Sequence, residues 1–151
     1  MKALIQRVTN AKVHINGITK GSINKGLVIF IGFADSDTFE KVEWIVKKIA
    51  KLRIFTDQEG KMNNSVEDVQ GELLIISQFT LYASVKKGTR PSFIEAAEPI
   101  LAENIYNYFE LSITYEKDIH TPIHKMKDYE SFNTARHKCK SSYKWNNKRL
   151  Y

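Results

Sequence analysis

The first third of the chain is patterned as a β-sheet. Ala3 to Val8 and Lys12 to Ile15 are short and rich in strand-forming residues, and the Asn16-Gly17 pair that follows is a two-residue hairpin signal. Residues 27–33, Leu-Val-Ile-Phe-Ile-Gly-Phe, form an unbroken apolar run of strand length, which predicts a strand buried on both faces. Asp35-Ser36-Asp37 then offers helix N-caps, and Asp37 with Glu40 has the spacing of a capping box. Val42, Ile45, Val46, Ile49 and Leu52 recur at helical spacing, with Lys41, Lys47, Lys48 and Lys51 off that stripe, so an amphipathic helix packed on the core is expected. Arg53 to Phe55 reads as a strand and Asp57 to Gly60 as a turn. Residues 72–77 are a second buried-strand candidate that runs into the polar pair Ser77-Gln78. A loop rich in Lys, Gly and Pro covers 83–92. Pro99 opens a second helix whose apolar stripe is Leu101, Ile105, Tyr108 and Phe109. Beyond Tyr115 the pattern fails, because Pro122 interrupts any helix and no alternation lasts long enough for a strand. These elements predict a single α/β domain, an antiparallel-rich mixed β-sheet with two packed α-helices.

Composition agrees with one folded domain. The 151 residues can bury a full core, and a hydrophobic fraction of 42% is that of a globular chain, not a disordered one. There is no internal repeat and no interdomain linker. No apolar run reaches the roughly 18–20 residues that span a bilayer, so no membrane partner is expected. Gln6 and Arg7 stand where a signal peptide needs unbroken apolar residues, and Cys139 is the only cysteine; both features predict a cytoplasmic protein. The net charge of +6 is uneven: all 17 acidic residues lie in 1–130, and the whole excess sits on Arg136, Lys138, Lys140, Lys144, Lys148 and Arg149. Such a basic tail suits phosphates as well as it suits a solvated end.

The most informative stretch is Ser77-Gln78-Phe79-Thr80-Leu81-Tyr82. A buried strand ending in Ser, Gln and Thr delivers hydroxyl and amide groups to a strand terminus, where backbone N–H groups also become free. Donors of this kind stabilise the oxyanion formed when an ester carbonyl is attacked; the plainer account is a polar strand end bonded to a neighbouring loop. No general base is tied to Thr80 by any motif, which argues against a serine-hydrolase triad. His120, His124, His137 and Cys139 are possible zinc ligands, but Pro122 denies the first pair a helical face, and solvated side chains are favoured. No P-loop or dinucleotide fingerprint appears, so no nucleotide cofactor is expected. The basic loop Lys86-Lys87-Gly88-Thr89-Arg90 follows the polar strand end directly, which makes Arg90 a candidate phosphate contact.

Gln6-Arg7-Val8, Arg53-Ile54-Phe55, residues 60–63, residues 77–82 and Gly88-Thr89-Arg90-Pro91-Ser92-Phe93 resemble, in order and spacing, the D-aminoacyl-tRNA deacylases. Pro99 to Phe109 is similar to that family's helix, and the resemblance covers about residues 1–112. It implies a cytosolic homodimer that cleaves D-amino acids, and glycine misattached, from aminoacyl-tRNA without metal or cofactor. It also implies that Ser77, Gln78 and Thr80 line the pocket around the 3′-terminal adenosine and the aminoacyl group, with Phe79 contacting substrate. Thr80 would be either a nucleophile or one of the groups that hold the ester while the substrate's own 2′-hydroxyl helps activate water. Arg7 matches the arginine that braces the family's chirality-selecting loop.

That loop is where the chain departs. The family ends in Asn-x-Gly-Pro-x-Thr, whereas the only prolines here are Pro91, Pro99 and Pro122, and no Gly follows Gly88. Residues 113–151 are therefore a divergent or frame-altered basic segment. Read one base later, codons for Thr134 to His137 can spell x-Pro-Val-Thr, with x other than Gly; sequencing the gene through this region decides between the two accounts. Two further readings stand beside the deacylase: a non-catalytic RNA-binding relative that has lost the selector loop, and a zinc-binding module.

Overall fold

The computed structural model describes residues 1–116 and 122–126. The chain opens with β1 (Lys2–Val8), β2 (Ala11–Ile15), β3 (Ile18–Ile23) and β4 (Gly26–Gly32). Asn16 and Gly17 both take positive φ, 50° and 80°, which is the backbone a tight hairpin between β2 and β3 demands. β1 does not pair with that hairpin. It runs antiparallel to β4, with Ala3 opposite Ile31 and Arg7 opposite Leu27.

α1 (Phe39–Ala50) carries the chain back across the sheet, followed by the short strands β5 (Phe55–Thr56) and β6 (Met62–Asn64). β7 (Glu72–Ser77) then enters beside β4 in parallel, leads into a 3-10 turn (Phe79–Tyr82), and is followed by α2 (Pro99–Tyr115) and β8 (Ile123–Met126). The central sheet runs in the order β1-β4-β7-β8. Among the described residues three of the five strand pairings are antiparallel, so the fold is mixed and antiparallel-rich, with two helices, as expected.

β4 and β7 are buried on both faces, which explains their continuous apolar runs. Leu27, Ile29, Ile31, Leu73 and Ile75 face the helical layer, where they meet Val42, Val46 and Ile49 of α1 and Ile105, Tyr106, Phe109 and Ile113 of α2. On the opposite face Val28 and Leu74 are covered with Ile23, Ala11 and Val13 from the β2–β3 hairpin.

Four local expectations change. Asp37 does not cap α1: Thr38 is the N-cap and makes no side-chain capping bond. The Asp37 carboxylate instead takes the Met1 amino group, the Ala34 N–H at 2.9 Å and the Lys41 ammonium at 3.6 Å. A buried carboxylate with three cationic or N–H partners is worth more than one exposed cap. On α2, Leu101 is 37% exposed, and the buried stripe runs through Ala102, Ile105, Tyr106, Phe109, Glu110 and Ile113. The strand expected at 53–55 shrinks to Phe55–Thr56. Finally, β8 pairs parallel to β7 where no strand was legible, because its four residues are specified by the register Leu73–Ile123 and not by any pattern of their own.

Candidate active site

The polar end of β7 is formed by three features. First, Ser77 closes the strand in the row Ala3–Ile31–Ser77. Second, the ladder continues one residue further, because the Gln78 N–H donates to the Ile31 carbonyl at 2.7 Å. Third, the chain turns: Gln78 has φ −144° and ψ 84°, and Phe79–Tyr82 form the 3-10 turn. Thr80 therefore lies on a turn and not on the strand, and this folds its hydroxyl back so that Gln78 Nε2 donates to Thr80 Oγ1. Ser77, Gln78, Phe79 and Thr80 are all half-buried, placed against the core yet reachable from solvent.

The main-chain donors are more occupied than the sequence suggested. Besides Gln78, the Leu81 N–H donates to the Gln78 carbonyl at 3.3 Å and the Ala83 N–H to the Thr80 carbonyl at 2.9 Å. The side chains of Ser77, Gln78 and Thr80 are thus the polar groups that this strand end presents. His14 stands elsewhere, on the hairpin, with Nδ1 3.2 Å from Thr19 Oγ1. The zinc candidates His120, His137 and Cys139, and the side chain of His124, lie outside the described residues. Among the described residues no three His, Cys, Asp or Glu side chains gather as a metal site.

Glycine shapes this end. A Cβ on Gly32 would lie 2.6 Å from the Gln78 carbonyl oxygen, 3.4 Å from the Tyr82 ring and 3.5 Å from Leu81 Cβ. Only a residue without a side chain lets the turn approach β4 so closely. The signal was available in the sequence, since a Gly inside a buried strand marks close backbone approach. Lys2, opposite Gly32 on β1, reaches the same turn: its Nζ donates to the Leu81 carbonyl at 3.1 Å and sits 4.3 Å from the centre of the Tyr82 ring. Neither Lys2 nor Gly32 was a sequence candidate.

Tyr82 is buried, and its phenol is pushed up to about 12, chiefly by burial and then by the negative charges of Asp37 and Glu95. The folded state thus holds the phenolic proton more tightly than the unfolded chain does. This contribution to stability is complete below about pH 10 and is lost as pH rises through about 12. Tyr82→Phe is expected to flatten the alkaline loss of stability and to change nothing near neutrality. Denaturant melts at about pH 8 and about pH 11 check this, and parallel pH dependence in both proteins would refute it.

Two other candidates lie apart from the strand end. Arg90 is in an exposed loop that Ser84 and Ser92 close by exchanging two main-chain bonds of 2.9 Å. Phe93, just after it, packs edge-on against Phe79 with ring centres 5.2 Å apart, so the basic loop is anchored to the same turn as Thr80. Arg7 is not at this end within one chain. It lies in the row Arg7–Leu27–Leu73, four rows from Ser77, or about 13 Å at the usual rise per strand residue. Its guanidinium donates to the Ile54 carbonyl at 2.5 Å and to Thr56 Oγ1 at 3.3 Å, beside Arg53, which holds Asn63. The motif residues thus form two clusters at opposite ends of the sheet.

Fold and site together define a class: a small mixed α/β protein whose polar strand end offers hydroxyl and amide groups. The family profile described as D-Tyr-tRNA(Tyr) deacylase matches residues 4–127, past the residue 112 to which the motif resemblance extends. The chain belongs to that family. It is 53% identical over 109 residues to a D-aminoacyl-tRNA deacylase of Desulfatibacillum aliphaticivorans, covering 72% of this chain and 75% of that protein. A D-aminoacyl-tRNA deacylase of Phocaeicola vulgatus is 49% identical over 80% of this chain and 82% of its own. Among solved structures, one titled c-Myc DNA Unwinding Element Binding Protein superposes with a TM-score of 0.75 at 39% identity, covering 84% of this chain and 85% of that one. A probable eukaryotic D-amino acid tRNA deacylase shares the fold, with a TM-score of 0.65 at 22% identity over 78% of this chain and 69% of that one. No helix among the described residues is long and apolar enough to cross a membrane.

Proposed function

We propose that this chain hydrolyses the ester joining a D-amino acid, or misattached glycine, to the 3′ end of tRNA, freeing the amino acid and the tRNA as a quality-control step in the cytoplasm. The observation that carries this reading is the half-buried strand end where Gln78 and Thr80 are hydrogen-bonded to each other beside Ser77. In the reaction, water adds to the ester carbonyl, and the ribose oxygen leaves with a proton. Ser77, Gln78 and Thr80 hold the ester and the developing oxyanion. Thr80 acts as a positioning group: an amide N–H donated to its oxygen draws on a lone pair that a nucleophile would use, and the side chain bonded to it is an amide and not a base. The substrate's 2′-hydroxyl, on the ribose carbon next to the one that bears the ester, is the natural aid to water.

Phe79 flanks the aminoacyl end, and Arg90, on the loop anchored by Phe93, contacts phosphate. A homodimer accounts for two features. Leu4, Phe30 and Ile76 form one row on the sheet face away from the helices; Leu4 is 56% exposed, and the other two are only half-buried. In addition, the Arg7 cluster lies too far from its own Thr80 to serve it and would serve a partner's. The segment beyond residue 127, where the family profile stops, is divergent or frame-altered and lacks the Gly-Pro selector, so discrimination against L-residues is the property most exposed to change. A non-catalytic RNA binder has less support, because the polar strand end is intact.

Purified protein is expected to release D-tyrosine from D-Tyr-tRNA well above buffer controls, and Thr80→Ala to slow release roughly 10- to 100-fold. L-Tyr-tRNA assayed in parallel reads the state of chiral selection. Absence of turnover on the D-substrate would overturn the proposal.

A further inference from the structure

We infer that Lys2 is a positioning residue for the deacylation: its ammonium caps the 3-10 turn and thereby fixes where Thr80 stands. This inference rests on the function proposed above. Lys2 and Gly32 are direct partners in the β1–β4 register, so their side-chain positions lie on one face of the sheet. The turn packs directly over Gly32, which has no side chain to hold it off, and the Lys2 side chain reaches that turn. There the ammonium makes two contacts, a hydrogen bond of 3.1 Å to the Leu81 carbonyl and a cation–π contact 4.3 Å from the Tyr82 ring centre.

The chemistry of the turn explains why a cation belongs there. A four-residue 3-10 turn leaves its last carbonyls without partners inside it, and these concentrate negative partial charge. Ala83 N–H takes the Thr80 carbonyl, and Lys2 takes that of Leu81. Both bonds hold the chain at and directly after Thr80. An unrestrained turn this short frays readily, and a hydroxyl displaced by even about 1 Å from a reacting ester loses much of its effect. The contact is solvent-exposed, so it adds little to global stability. Its effect therefore belongs to the turn and the reaction, which separates a positioning role from a structural one.

The test compares Lys2→Met, which keeps the stem and removes the charge, with Lys2→Arg, which keeps charge and donors. In Lys2→Met, kcat for D-Tyr-tRNA is expected to fall about 10-fold, with KM within about twofold and Tm within about 2 °C of the parent. The same kcat loss is expected with D-tyrosyl-adenosine, which carries no phosphate, and Lys2→Arg restores most of it. Amide exchange at Leu81 and Ala83, the two N–H groups bonded across the turn, is expected to speed up about 5- to 10-fold in Lys2→Met but not in Lys2→Arg. That readout needs no turnover, so it stands even if the parent protein were inactive, an outcome that would count against the proposed function alone. Unchanged exchange at those amides would overturn the inference. So would a defect confined to KM for tRNA, which would make Lys2 a phosphate contact.

Discussion

Gly32→Ala is expected to lower kcat/KM for D-aminoacyl-tRNA roughly 100-fold while leaving a folded protein. The added Cβ would lie 2.6 Å from the Gln78 carbonyl oxygen, a main-chain atom that no rotamer change can move aside. Gln78 must therefore retreat from β4, loosening its 2.7 Å bond to the Ile31 carbonyl and carrying Thr80 with it. Displacing a positioned group by about 1 Å costs on the order of 100-fold. The stability cost is smaller, about 1–3 kcal/mol, because the strain sits at the strand's end, where the turn can relax. Steady-state deacylation and a thermal melt of the same preparation separate the two effects. Activity within about twofold of the parent would mean that Gln78 and Thr80 do not hold the ester.

Gly26→Ala is expected to damage the fold itself. Gly26 stands opposite both Val8 of β1 and Glu72 of β7, and its Cβ would lie 1.9 Å from the Glu72 carbonyl oxygen, with Glu72 N at 2.6 Å. Here main chain confronts main chain at the start of the parallel pairing, where Glu72 N–H also donates to the Lys25 carbonyl at 2.9 Å. Relief requires β7 to shift against β4, the two most deeply buried strands of the sheet. A cost of about 3 kcal/mol or more follows, lowering Tm by roughly 6–12 °C for a chain of this size. Differential scanning calorimetry reads this directly, and a shift below about 2 °C would show that the sheet has more slack than its geometry implies.

The two glycines illustrate what was legible and what was not. The apolar run at 27–33 disclosed a strand buried on both faces, and Gly32 within it carried a hint of close approach, but the identity of the approaching atom lies 46 residues further along the chain. Ser77, Gln78 and Thr80 stood out as polar residues at the end of an apolar strand. The turn that brings the Gln78 amide onto the Thr80 hydroxyl did not, since Phe79–Tyr82 holds no Gly, Pro, Asn or Asp to mark one. Arg7 and Ser77 both belong to the motifs that mark the family, yet pairing sets them four rows apart.

By itself the sequence determined the periodic and local features: two strands buried on both faces, the Asn16-Gly17 hairpin, the stripe of α1, the opening of α2 at Pro99, and the ordered motifs that mark the family. Each of these depends on residues within a few positions of one another, where side-chain period and backbone preference act directly. The tertiary structure alone decided that Asp37 binds the Met1 amine and not a helix end, that β8 exists, that Lys2 caps the turn, and that the motifs divide into two clusters. Those outcomes follow from strand register and from contacts between groups far apart in the chain, where burial and charge pairing outweigh local preference.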